Sequence, residues 1–121
     1  MSLQAYQTAQ NVTESPRQTE YRLFAMVTGA LRDTAGEPGR EMFEAVNWNR
    51  RLWLTLQADL SSEGNQFPDD LKAKLISLAL WVDRHSAAVL RGQQTVDALI
   101  NVNRAIMDGL AGNVEETRLA S

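Results

Sequence analysis

Apolar residues in this chain recur three and four positions apart, in blocks separated by clusters of Gly, Pro, Ser and Asn. That spacing is the period of an amphipathic helix, whereas a half-buried strand alternates every second residue. The breaks fall at Glu14–Pro16, Thr34–Gly39, Ser61–Pro68, Arg91–Gln94 and Leu110–Asn113. These residue types favour turns over helix interiors. No stretch reads convincingly as a strand. The expected fold is therefore all-α: a single-domain irregular helical bundle of about five helices. A length of 121 residues supports one modest core. The domain is expected to span residues 1–112, with 113–121 a mobile tail that has no clear partner face.

The first candidate helix, Leu3–Val12, is short and weakly amphipathic, with Leu3, Ala5, Tyr6, Ala9 and Val12 as its apolar content. A helix of that length is marginal alone and needs a docking surface. The next block starts cleanly: Ser15 can cap, Pro16 suits the first helical position, and Gln18 sits where a capping box wants it. Its seam is Leu23, Phe24, Val27, Ala30 and Leu31. At 100° per residue, Met42, Val46, Trp53, Leu56 and Leu60 share one face of a helix over Arg40–Leu60. Trp48 falls well away from that face, near Glu44, Arg51 and Thr55.

A fourth helix is expected over Pro68–Leu90, with Asp69 and Asp70 favourably placed at the positive end of its dipole. Leu71, Leu75, Leu78, Val82 and Val89 form its main seam, and Ile76, Leu80 and Ala87 lie on another side. Apolar over most of its circumference, it reads as the central, most buried helix. The fifth follows Gly92, with Thr95 as cap and a seam of Val96, Leu99, Ile100, Ile106, Met107 and Leu110. A second strip of Ala98, Val102, Ala105 and Gly109 permits close helix approach.

Four polar residues fall inside these seams: Glu20, Asn49, His85 and Asn103. A buried polar group without a partner costs roughly 1–3 kcal/mol. The favoured expectation is an internal network that fixes helix register. The alternative is a polar pocket that receives a ligand. Asp83, Arg84 and His85 are all groups that enzymes use, but neighbours on a helix point about 100° apart and cannot converge on one substrate atom. Asp83 points to the Ile76/Leu80 side, where a carboxylate needs an arginine from another helix.

No Gly-rich phosphate loop, nucleophile elbow or two-histidine metal spacing occurs. Cysteine is absent and His85 is the only histidine, which excludes thiolate and multi-histidine metal sites. The chain is thus expected not to be an enzyme and to need no cofactor. A formal net charge of −3 weighs against direct nucleic-acid binding, since Arg50–Arg51 is not extended into a basic stripe. The longest apolar stretch, Leu75–Val82, is too short to span a bilayer. The opening "MSLQAYQTAQ" has neither the positive flank nor the apolar run of a secretory signal. A cytoplasmic protein is expected. Off-seam aromatics are the remaining signal: Trp48 and Tyr6, with Arg51 one turn from Trp48, are residue types enriched at binding hot spots. Trp48 either packs under the first helix or the 61–68 connection, or meets a partner.

Four blocks carry a family resemblance: "SPRQTEYRLFAMVTGAL" (Ser15–Leu31), "WNRRLW" (Trp48–Trp53), "GNQFPDDLKAKLISLALWVDRH" (Gly64–His85) and "LINVNRAIMDGL" (Leu99–Leu110). Together with the opening "MSLQAYQTAQ", they resemble the flagellar biosynthesis regulator FlaF family of alphaproteobacteria, in order and to about Gly112. The resemblance implies a protein needed for flagellin production and secretion that associates with flagellin. It also implies work opposite or alongside the regulator FlbT, the member of that pair linked to flagellin messenger RNA. Flagellin's terminal segments are helical and largely disordered before assembly, and a helical bundle can hold one by its apolar side. The expected function is a flagellin-binding secretion chaperone or adaptor that regulates flagellin synthesis. The alternative is an RNA-binding post-transcriptional regulator of flagellin message. No family motif assigns the contact residues, so Tyr6, Trp48 and Arg51 rest on the sequence pattern alone.

Overall fold

The computed structural model describes residues 16–120, with side chains from 18 to 109. Among the described residues the fold is all-α, with four helices and no strand: α1 (Pro16–Thr34), α2 (Arg40–Leu60), α3 (Asp69–Leu90) and α4 (Asp97–Ala120). They form one compact bundle. The candidate helix Leu3–Val12 and the Ser15 cap lie outside the described residues.

The helix ends follow local chemistry. Pro16 opens α1, a position where its missing N–H costs nothing. Asp69 and Asp70 occupy the first turn of α3. At its other end, Gly92 takes a φ of 75°. There the Gly92 N–H donates to the Val89 carbonyl and the Gln93 N–H to the Ala88 carbonyl, the paired bonds of a Schellman ending. A side chain at Gly92 would be strained by that left-handed backbone. In the 61–68 connection, Asn65 donates to Asp59 and accepts from the Phe67 N–H, while Lys72 Nζ donates to the Asn65 carbonyl at 2.8 Å.

The expected break at Leu110–Asn113 does not stop the chain, for α4 runs on to Ala120. Glycine inside a helix costs only about 1 kcal/mol, which helical neighbours can offset. The expected tail, 113–121, lies where no side chain is described.

Packing runs α4–α1–α2–α3: α2 packs along both α1 and α3, α1 packs along α4, and α3 and α4 touch only slightly. The core holds Phe24, Leu31, Val46, Trp53, Val82, Val89 and Leu99, among others. Phe24 meets Trp53 edge to face, with ring centroids 5.6 Å apart, a preferred aromatic geometry. This arrangement corrects the expectation for the central helix. Six residues of α2 are buried against four of α3. Val82 and Val89 are buried, but Leu75 and Leu78 are half-buried, and Leu71 and Leu80 are exposed. An apolar circumference leads to full burial only if neighbours stand on every side, and α3 has one strong neighbour where α2 has two. None of the helices is long and apolar enough to cross a membrane, among the described residues.

Candidate partner-binding surface

The seam polar residues resolve first. The Trp53 indole N–H donates to Asn103 Oδ1 at 2.9 Å, and Asn103 Nδ2 donates to Asn49 Oδ1 at 2.8 Å. All three side chains are buried. This is the expected internal network, joining α2 to α4 through the middle of the bundle. It is not complete: Asn49 Nδ2 and the Ser86 hydroxyl are buried with no hydrogen-bond partner. Glu20, also expected in a seam, is half-buried.

Asp83, Arg84 and His85 diverge. Asp83 Oδ1 accepts from Arg50 Nε at 3.2 Å and from Arg50 Nη2 at 2.8 Å, the arginine from another helix that the sequence required. Both side chains keep substantial solvent contact, so the pair contributes at most about 1 kcal/mol. Arg84 is exposed. His85 is half-buried rather than a core residue. Its ring stacks on Trp81 at 4.8 Å, and Nε2 lies 3.1 Å from the Thr95 carbonyl. A carbonyl only accepts, so Nε2 carries the proton. With the histidine near the surface and its partner a carbonyl that water can also satisfy, His85→Ala is expected to cost about 0.5–1.5 kcal/mol of unfolding free energy. Urea denaturation checks this; a loss above about 3 kcal/mol would restore the core assignment.

Trp48 and Arg51 come together. They line an open groove of about 400 Å³ between α1 and α2, with Ala30 and Thr34 on one wall and Glu41, Glu44 and Ala45 on the other. Trp48 is half-buried and Arg51 exposed. The indole thus faces the groove between α1 and α2. Tyr6, the third candidate, lies outside the described residues. Among the described residues no group of three His, Asp or Glu side chains could hold a metal. A second apolar cleft of about 490 Å³ opens between the two loops at one end, around Ala35, Met42, Val89 and Val96.

One surface escaped the sequence pattern. Leu80 was placed with Ile76 on a buried side, yet it is exposed, as are Phe43 and Leu54 on α2. The signal was present in α2, where Phe43, Arg50 and Leu54 recur at helical spacing on a side away from the Met42–Val46–Trp53 seam.

A helical bundle with open aromatic and aliphatic surface, and no reacting constellation among the described residues, does not by itself say which process it serves. The family model described as flagellar protein FlaF matches residues 2–110. The chain belongs to the FlaF family. Comparison with curated proteins and with solved structures gives no match. Membership gives the chain a role in flagellum biogenesis, and FlaF is a family of flagellar proteins, not of enzymes. The matched span takes in the residues before Pro16 and stops within α4, so the end of that helix is outside what FlaF proteins share through this match.

Proposed function

We propose that this FlaF protein is a flagellin-binding secretion chaperone or adaptor that also regulates flagellin synthesis, with the regulator FlbT as a further partner. The observation that carries the proposal is the FlaF match over residues 2–110. The geometry is consistent with a binding role. Trp48 and Arg51 share one groove wall, an aromatic and a cation of the kind that anchors partners. A helical end of unassembled flagellin, laid in the groove between α1 and α2, would bury its apolar side there. The net charge of −3 weighs against direct contact with flagellin messenger RNA.

Co-purification of the full chain with full-length flagellin and with flagellin lacking either end tests this. Retention of full-length flagellin and loss of one truncated form is expected. If no form is retained while flagellin message is bound in a salt-sensitive way, the function is RNA binding.

A further inference from the structure

The bridge between Arg50 and Asp83 fixes one level of the α2/α3 pair. The two helices are consecutive, are joined by the 61–68 connection and pack along each other, so they run antiparallel. Leu54 stands one turn after Arg50, and Leu80 one turn before Asp83. In antiparallel helices both steps lead the same way, about 5 Å along the axis. The two leucines therefore share a level, 54% and 48% exposed. Two turns in the other direction, Phe43 is 42% exposed on the same edge of α2. Scattered exposed leucines need no explanation. Three large apolar side chains along one helix pair form a strip, and strips of this kind mark interaction sites.

Charge narrows the occupant. Arg51 and Arg84 adjoin the bridge partners in sequence, one on each helix. Both are exposed, and neither makes an ion pair among the described residues. With Arg50 bridged to Asp83, Arg51 and Arg84 add two positive charges outside any ion pair near the middle of the strip. A second copy of this chain fits poorly, because a two-fold contact brings the same patch against itself and sets guanidinium against guanidinium. Nucleic acid would meet the cations but leave the apolar ends unused.

We infer that the outer face of the α2/α3 pair docks an acidic amphipathic helix of a partner protein. Its carboxylates would sit at the level of Arg51 and Arg84, where charge-assisted bonds form. Its apolar residues would reach Leu54 and Leu80 one turn away and Phe43 two turns the other way. This surface goes beyond the Trp48 groove, which opens towards α1. Only Arg51, on the ridge between them, is shared, so the test rests on α3.

The probe is a fluorescent helical peptide of about five turns, with a central glutamate pair and leucines placed one turn to one side and two turns to the other. A counterpart carries lysine for glutamate. Anisotropy titrations use the full chain. The glutamate peptide is expected to bind at least about tenfold tighter than the lysine peptide, and less tightly as salt rises. Arg84→Glu should remove or invert that preference. Leu80→Ser should weaken both peptides, and Trp48→Ala should leave both unchanged. A failure of flagellin to bind while these results hold would sink the proposed function and not this surface. Equal binding of the two peptides, no binding of either, or an Arg84→Glu protein that keeps the preference would overturn the inference. So would a concentration-dependent dimer, seen by sedimentation, that Leu80→Ser abolishes.

Discussion

Trp53→Phe lowers the unfolding free energy by about 1–3 kcal/mol, and Trp53→Ala by about 3–5 kcal/mol or more. The phenylalanine variant keeps a ring in the core but deletes the indole N–H, so Asn103 Oδ1 loses its donor in a place water does not reach. The cost is the desolvation of that oxygen. The alanine variant also loses the ring itself, its edge-to-face contact with Phe24 and the volume it fills. Against a total stability of about 5–15 kcal/mol for domains of this kind, the larger loss brings the protein close to unfolding at ordinary temperature. Urea denaturation measures both. In a double-mutant cycle Asn103→Ala and Trp53→Phe should be non-additive, because each removes the same bond. If Trp53→Phe stays within about 0.5 kcal/mol of the parent, the chain from Trp53 through Asn103 to Asn49 contributes nothing measurable.

Trp48→Ala has its largest expected effect on binding. If the indole anchors flagellin, its removal weakens the complex by roughly 2 kcal/mol or more, about thirtyfold. The ring is half-buried in the groove between α1 and α2, so a stability loss of about 1–2 kcal/mol accompanies it, less than for a fully buried tryptophan. Isothermal titration against flagellin and a thermal melt on the same purified variant separate the two. Full affinity with a melting midpoint depressed by many degrees would make Trp48 part of the scaffold and leave the groove without its anchor.

How much was legible in the sequence differs from residue to residue. Periodicity placed α1 to α3 to within a residue or two of their ends, because Pro16, the "TAGEPG" linker, Pro68 and Gly92 act locally on the backbone. Asn49 and Asn103 were legible as network members, since a polar residue in an apolar seam must be satisfied. Their partner, the Trp53 indole, was not, because a helical wheel says which face a residue is on and not what stands opposite. Asp83 was legible in the same way: its need for an arginine could be stated, but the choice of Arg50 required the packing. His85 and Leu80 were misplaced towards the interior for one shared reason. Both lie on α3, whose sequence does not reveal which of its sides have a neighbour: α4 barely touches the side that carries His85, and Leu80 stands on the exposed outer edge of the α2/α3 pair. Trp48 and Arg51, one turn apart, were already adjacent on the wheel; the groove they line depends on α1 crossing beside them.

The order of packing has a consequence for how the chain reaches this state. The two most intimate neighbours of α2 are its neighbours in the sequence, so three helices can associate through short loop closures, which are entropically cheap and fast. Among the described residues the α1–α4 contact joins the first helix to the last. A chain emerging from the ribosome N-terminus first therefore assembles α1, α2 and α3 while the Trp53 indole N–H and the Asn49 carbonyl still await Asn103. The last helix does not simply add apolar surface. It delivers the one side chain that satisfies both, so the internal register of the bundle is complete only once α4 has docked.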